Sequence, residues 1–114
     1  MPNLRRRALQ FQGSYYIASG AWPLASRRAF EAVTGPKTDW WLVQMVGLLA
    51  VSIGTTISIG AREERPSMAI RTLAVLSAAS FAGIDIVHAL RGRISKIYLA
   101  DAAIELALIA AILR

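Results

Sequence analysis

The sequence contains no cysteine, which excludes disulfide bonds, thiolate metal sites and thiol redox chemistry. Charge is also scarce, since 18% of the 114 residues are charged, whereas 55% are hydrophobic and the mean hydropathy is +0.46. A soluble domain of average composition carries about 25% charged residues. The chain is therefore too apolar for an ordinary soluble domain, and its length allows one domain.

Recognisable catalytic motifs are missing as well. The chain has no glycine-rich phosphate loop, no nucleophile elbow and no HExxH helix, so the sequence assigns no enzyme class and leaves open whether the protein is an enzyme. Its single histidine, His88, cannot build a typical transition-metal site. We predict neither a cofactor nor a resident metal.

The few charges gather into clusters at residues 5–7, 27–37, 62–71 and 91–96, with long apolar stretches between them. The net charge is +6, but the Lys and Arg residues stand at the ends of apolar stretches, where such residues normally meet lipid headgroups. This placement favours a lipid bilayer as the partner and argues against nucleic acid.

Four apolar windows have the length of a membrane-spanning helix, which is roughly 20 residues for a hydrocarbon core of about 30 Å. They cover residues 8–26, 40–61, 72–90 and 97–113. The second has no charge and opens with Trp40 and Trp41, which are typical of the membrane interface. The first is the least apolar and contains Pro23, yet we interpret it as a retained span and not as a signal peptide. We therefore predict a single all-α domain over residues 1–114, a bundle of four transmembrane helices in the bacterial inner membrane.

The orientation of this bundle is not set by the sequence. With four spans, seven Lys and Arg residues lie on one side and six on the other. If the first helix lay on the membrane surface, the split would be nine against four and would place the N-terminus inside. Residues 27–33 are expected to extend the first helix into the headgroups and to stop at Gly35-Pro36.

Small residues recur at helical spacing in the second and third windows, a pattern that lets helices approach closely in lipid. The stripes are Ala50, Gly54 and Ser58, and Ala74, Ala78 and Ala82 beside Ala79 and Gly83. The pattern does not separate contacts within one chain from contacts in a homo-oligomer or a larger membrane complex.

Ionisable residues inside the last two windows are the strongest functional signal. Asp85 and His88 are three residues apart, and Asp101 and Glu105 four apart, so each pair lies on one helical face. A carboxylate near the bilayer centre costs at least about 2.5 to 3.5 kcal/mol, so one that is kept normally faces protein or water. The short connection makes these two helices antiparallel neighbours with Asp85 and Asp101 at similar depth. The two pairs are thus expected to face each other.

The sequence therefore predicts an acid-lined polar site inside the bundle. Its candidate ligand-binding residues are Asp85, His88, Asp101, Glu105, Gln44, Trp22 and Tyr98. Close carboxyl groups are expected to share a proton or to pair with His88, and the site could accept a proton, a metal cation or an amine. In the alternative interpretation, the acids are hydrogen-bond links between helices, or they pair with Arg27, Arg28, Arg71 or Lys96.

Short segments with a familiar pattern run through most of the chain. They are Ser14-Tyr15-Tyr16 through Gly20, Trp22-Pro23, residues 28–37, Trp40-Trp41-Leu42-Val43 with Gly47, Ile84-Asp85, Arg93-Ile94-Ser95, Tyr98-Leu99 and residues 101–105. Together they resemble small bacterial four-helix membrane proteins of the DoxX-like kind. The resemblance implies a four-helix fold and no defined activity. A looser likeness, in fold and acid placement alone, is to the sterol-isomerase and sigma-2-receptor type of bundle.

Three functions from different classes remain open. The facing acids favour binding of a cation or of a small cationic or amphipathic ligand. The small-residue stripes favour a non-catalytic accessory or oligomerising subunit. A carboxylate that acts as acid or base would instead make the protein a lipid-acting membrane isomerase.

Overall fold

The computed structural model describes residues 3–114, and this part of the chain forms α-helices and no strand. The helices are α1 (Leu4–Ala25), α2 (Arg27–Thr34), α3 (Trp40–Gly60), α4 (Met68–Leu90) and α5 (Tyr98–Leu113). The predicted all-α class is confirmed. The four long helices lie over the four predicted windows, but α1 and α4 each begin four residues before their windows do. The start of α4 is capped by Ser67, whose hydroxyl accepts a hydrogen bond from the backbone N–H of Ile70.

The early start of α1 places two arginines where they bond the ends of other helices. Arg5 Nε donates to the carbonyl oxygen of Ile112 at 2.7 Å, in the last turn of α5. Arg6 Nε donates to the carbonyl oxygen of Ala61 at 2.9 Å, just after α3. Carbonyls at a helix C-terminus lack a partner within the helix, and the helix dipole favours a cation there. These two arginines therefore fasten α1, α3 and α5 together at one end of the molecule.

Helices α1 and α3 pack side by side in antiparallel directions, with their backbones in close approach. A Cβ added to Gly54 would lie 2.6 Å from the carbonyl oxygen of Gly13, and one added to Gly47 would lie 2.6 Å from that of Gly20. Close backbone contact of this kind is how helices associate without a hydrophobic driving force. The predicted stripe through Ala50 and Gly54 is thus used for packing within the chain, where Ala50 is buried.

The alanine stripe of α4 also faces inward. Ala74, Ala78 and Ala82 are at most 2% exposed, and α4 packs mainly against α5, the neighbour that the short connection predicts. Contacts between α1 and α5 join the two helix pairs, whereas α3 and α4 touch only sparsely. Gly60 and Ile70 are in contact beside the connection of α3 and α4. These two helices therefore part toward their other ends.

The short helix α2 is separate from α1. Ser26 between them is extended, with φ −154°, and its hydroxyl caps α2 by accepting from the backbone N–H of Ala29 at 3.1 Å. The ring of Phe30 packs edge-on against Trp22 and Trp40, so α2 folds over this end of the bundle. The expectation that residues 27–33 extend the first helix is wrong, because the capped break at Ser26 changes the chain direction.

Two helices, α3 and α4, are long and apolar enough to cross a membrane. Only 22% and 28% of their most apolar windows are buried, whereas the core helix of a soluble protein would be mostly buried. Large apolar side chains such as Leu48 on α3 and Leu76 on α4 are exposed, while Gln12 and Glu105 are buried. Exposed apolar faces of this extent are unusual for a soluble protein and are compatible with contact to lipid.

Candidate functional site

A cavity of about 670 Å³ lies at the end of the bundle that carries α2 and the connection at residues 91–97. Side chains from all five helices line it, and most of them are apolar, including Val43, Val46, Phe81, Ile97 and Ile104. A cavity of this volume suits a small organic ligand of roughly 300–1,000 Å³ site size. The cavity is therefore large enough to bind such a ligand.

Three carboxyl groups meet at this cavity, Asp85 from α4 and Asp101 and Glu105 from α5. Asp85 is 5% exposed and Glu105 is 1% exposed. Asp101 stands in the first turn of α5, where the helix dipole favours an anion. The structure thus brings together the three acids that the residue spacing singled out.

Two tyrosines of α1 hold two of these acids, and the sequence did not assign them to the site. The Tyr16 hydroxyl donates to Glu105 Oε1 at 2.7 Å, and the Tyr15 hydroxyl donates to Asp101 Oδ1. A buried tyrosine hydroxyl usually has a hydrogen-bond partner, and this rule is the signal that could have drawn attention to them. Glu105 and Asp101 therefore act partly as hydrogen-bond links between α5 and α1.

Gln12 extends this network from α1 to α4. Its Nε2 donates to the Tyr16 hydroxyl at 3.1 Å and to the carbonyl oxygen of Ala74 at 2.9 Å. Gln12 is fully buried, so both bonds form away from water. The polar network consequently fixes the relative positions of α1, α4 and α5 around the inner end of the cavity.

Asp85 differs from the other two acids because no tyrosine hydroxyl donates to it. Its Oδ2 is buried and makes no hydrogen bond within residues 3–114. In the same part of the chain, the one salt bridge joins Arg27 to Glu31, so no cation pairs with Asp85. A buried acceptor without a donor costs about 1 to 3 kcal/mol, and more when it is charged. Asp85, which lines the cavity, therefore has an unmet hydrogen-bond acceptor.

The mouth of the cavity is aromatic and carries one cation. Trp22 and Tyr98 line the cavity, as does Lys37. The Lys37 ammonium lies 5.4 Å from the centre of the Tyr98 ring and 5.8 Å from that of Phe30, a cation–π geometry. It also donates to the carbonyl oxygens of Thr34 and Gly35, at the C-terminal end of α2, at 2.9 and 3.0 Å. These contacts hold the charge of Lys37 at the mouth and leave the acids without it.

Two of the predicted site residues lie outside the cavity. His88 Nδ1 is 3.5 Å from Arg93 Nη1, so the expected pairing of His88 with Asp85 is not found. Gln44 is exposed and does not line the cavity. The reason is the rotation of α3, whose buried face contains Gly47 and is turned toward α1.

On the outer side of this end, Glu31 of α2 is held by two donors. The backbone N–H of Lys37 donates to Oε2 at 2.6 Å, and Arg27 Nε donates to Oε1 at 3.0 Å. Both donors favour the ionised form, and the Lys37 amide followed by the Arg27 guanidinium holds the pKa of Glu31 below its usual range. The Glu31 carboxylate thereby links the segment that follows α2, through Lys37, to the first turn of α2, through Arg27.

Metal binding is not supported by the arrangement of side chains. Within residues 3–114, no group of three or more His, Cys, Asp or Glu side chains is placed to hold a metal ion. An organic cation needs no coordination sphere of fixed geometry and would satisfy Asp85 with a single N–H donor.

Comparisons with protein-family models, with curated proteins and with solved structures give no match for this chain. The function is therefore inferred from the geometry of its own residues, and the likeness to DoxX-like proteins stays an expectation.

Proposed function

We propose that the protein is an integral membrane protein with four spans, α1, α3, α4 and α5, and that its cavity binds a small amphipathic molecule carrying an amine. One observation carries the proposal: Asp85, which lines a mostly apolar cavity, has a buried carboxylate oxygen with no hydrogen-bond partner within residues 3–114. A protonated amine would supply both the missing donor and the missing countercharge. The apolar walls would take the hydrophobic part of the ligand.

The three acids have different roles in this proposal. Asp101 and Glu105 already accept hydrogen bonds from Tyr15 and Tyr16, so they keep the inner end of the cavity polar and in position. Asp85 has a free oxygen and contacts the ligand. The affinity for the amine is therefore expected to depend more on Asp85 than on the other two acids.

The placement in a membrane is supported by the outward apolar faces of α3 and α4 and by the basic residues at both ends of the bundle. Helix α5 has 16 residues, which at 1.5 Å per residue is about 24 Å and shorter than a hydrocarbon core of about 30 Å. Lys96 and Arg114 flank it and can extend their charged ends toward the headgroups. A short final span is compatible with this bilayer placement.

The cavity opens sideways between α3 and α4, the two helices that touch only sparsely. Val46 on α3 and Ile84 on α4 line the cavity, and both are more than half exposed, at 51% and 59%. In the proposed placement this gap faces acyl chains. An amphipathic ligand would therefore enter from the bilayer and reach Asp85 without crossing the Lys37 mouth.

The small-residue stripes give little support to the alternative of an oligomerising or accessory subunit. Ala50, Gly54, Ala74, Ala78 and Ala82 are buried by contacts within the chain, so these residues explain how the bundle packs and do not require a second copy. Ala79 and Gly83 of the predicted stripe are exposed.

The proposal is tested with dodecylamine as the ligand and dodecanol as its uncharged match, added to the protein in lipid nanodiscs. We expect the amine to raise the thermal midpoint of the wild type and the alcohol to leave it unchanged. Asp85→Asn should lower the amine affinity about tenfold or more, because a hydrogen bond to a charged group contributes about 1.5 to 3 kcal/mol.

Asp39→Asn is the matched control, because Asp39 is an exposed aspartate at the same end of the bundle that does not line the cavity. This variant should bind the amine with unchanged affinity. Equal stabilisation by amine and alcohol, or an Asp85→Asn variant with wild-type affinity, would overturn the proposal.

A further inference from the structure

A second pocket, of about 290 Å³, lies at the opposite end of the bundle, where α1 and α4 begin and α5 ends. Two arginines and several apolar side chains form it, among them Arg5, Arg71, Val75, Leu76 and Leu113. The pocket is separate from the acid-lined cavity, with which it shares no residue. The pocket thus combines two guanidinium groups with an apolar surface.

Arg71 brings to this pocket a donor without an acceptor. Its Nε is buried and makes no hydrogen bond within residues 3–114. Arg5 is fixed beside the pocket by its bonds to the carbonyl oxygens of Ile112 and Arg114, at 2.7 and 2.8 Å. A guanidinium matches the geometry of phosphate oxygens, which can accept from more than one N–H at once. An oxyanion at the two arginines would supply the acceptor that Arg71 lacks.

The apolar part of the pocket indicates what carries this oxyanion. Leu76 and Leu113 line the pocket and are 61% and 67% exposed. A free inorganic anion would leave these side chains uncovered, whereas acyl chains would cover them. The same end of the molecule carries further basic residues, namely Arg6, Arg7, Arg62, Arg65 and Arg114. Such a cluster attracts the anionic headgroups of a membrane.

We propose that this pocket binds the phosphate group of an anionic phospholipid between Arg5 and Arg71, with the acyl chains along α4 and α5. The inference rests on the proposed membrane placement, but it does not depend on the amine site at Asp85. The occupant would be a lipid of the surrounding bilayer, and the pocket would select it by charge.

The test is native mass spectrometry of the purified protein with phosphatidylglycerol and, in a separate series, with phosphatidylcholine. Arg71→Gln should weaken phosphatidylglycerol binding about fivefold, the equivalent of about 1 kcal/mol for one arginine near a membrane. Phosphatidylcholine, whose choline group offsets the charge of its phosphate, should bind the wild type more weakly and lose less affinity in this variant. Arg71→Lys keeps the charge and should restore part of the phosphatidylglycerol affinity.

Two further variants separate a pocket from diffuse charge. Arg65→Gln removes an exposed arginine of the same end that does not line the pocket, and it should change phosphatidylglycerol binding less than twofold. Thr72→Trp fills the pocket, which Thr72 lines, and keeps both arginines. It should weaken phosphatidylglycerol binding even if Arg71→Gln fails to fold.

Equal losses in Arg71→Gln and Arg65→Gln would overturn the proposal, as would wild-type binding by Thr72→Trp. Displacement of the lipid by millimolar inorganic phosphate would also overturn it, because the occupant would then be a soluble phosphate. Resistance of the protein to carbonate extraction reports the membrane placement independently. Dodecylamine binding should be unchanged in Arg71→Gln, so failure of this site and failure of the Asp85 site are distinguishable.

Discussion

The two ends of the bundle carry similar numbers of basic residues but use them differently. Where α1 begins, Arg5 and Arg6 bond the C-terminal carbonyls of α5 and α3. At the other end, Lys37 and Arg27 bond within α2 and the segment that follows it. The first end is thereby closed by cations that join helices.

The second end stays open and keeps its acids without countercharge. Asp85 is buried near Asp101 and Glu105, and no basic side chain within residues 3–114 pairs with any of the three. A buried carboxylate that served packing alone would usually have a hydrogen-bond donor, as Glu105 has in Tyr16, whereas the buried Oδ2 of Asp85 has none within residues 3–114. The cations of the closed end thus join helices, whereas the acids of the open end are left for the amine that we propose as the ligand.

The largest effect on stability is expected at the closed end. Arg6→Ala should lower the free energy of unfolding by about 2 kcal/mol, because the carbonyls after α3 lose a charged donor. Thermal unfolding in a mild detergent would measure the loss. Arg7→Ala, which removes an exposed neighbour, should cost less than about 0.5 kcal/mol. Equal losses in the two variants would show that Arg6 contributes only charge and would remove the contrast between the ends.

A smaller effect is expected from the tyrosine that holds the inner end of the cavity. Tyr16→Phe should lower the free energy of unfolding by about 1 to 2 kcal/mol, because Glu105 and Gln12 each lose a buried hydrogen bond. The same detergent assay measures it. Tyr98→Phe is the control, since Tyr98 also lines the cavity but its hydroxyl makes no hydrogen bond within residues 3–114. A Tyr16→Phe variant as stable as the wild type would mean that the network does not hold α1 against α5.

The smallest effect is expected at Glu31, on the outer side of the open end. Its lowered pKa means that the folded state favours the carboxylate, so the stabilisation is present above the unfolded value of 4.5 and is lost as the pH falls through the lower folded value. Glu31→Gln should therefore lower the thermal midpoint slightly at pH 7 and should match the wild type in strong acid. Thermal unfolding of both proteins between pH 7 and strong acid tests the sign of this pH dependence. A difference that grew on acidification would contradict it.

The long helices were predictable from the sequence because the clustering of charges is a local property. The windows at 40–61 and 97–113 nearly coincide with α3 and α5. The meeting of Asp85 with Asp101 was also predictable, since helical spacing and a short connection together set depth and face. These inferences needed only the geometry of one helix or of one helical hairpin.

Other parts of the site could not be predicted, because they depend on how each helix is rotated about its axis. Gln44 lies outside the cavity because Gly47 and Gly54 turn their side of α3 toward α1. His88 contacts Arg93 of the following turn, which helical spacing from Asp85 could not reveal. The break at Ser26 was not predicted either, because it depends on an extended Ser26 whose hydroxyl caps α2.

Composition and the spacing of charges thus determined that the chain is helical, that it exposes apolar faces and that three acids lie in its last two long helices. Only the tertiary structure decided which of those acids lacks a donor. The bond from Tyr16 to Glu105 joins residues 89 positions apart and satisfies one acid, while Asp85 has no such partner. Such pairings depend on contacts between helices that are far apart in the sequence, and the periodicity of a single helix cannot predict them.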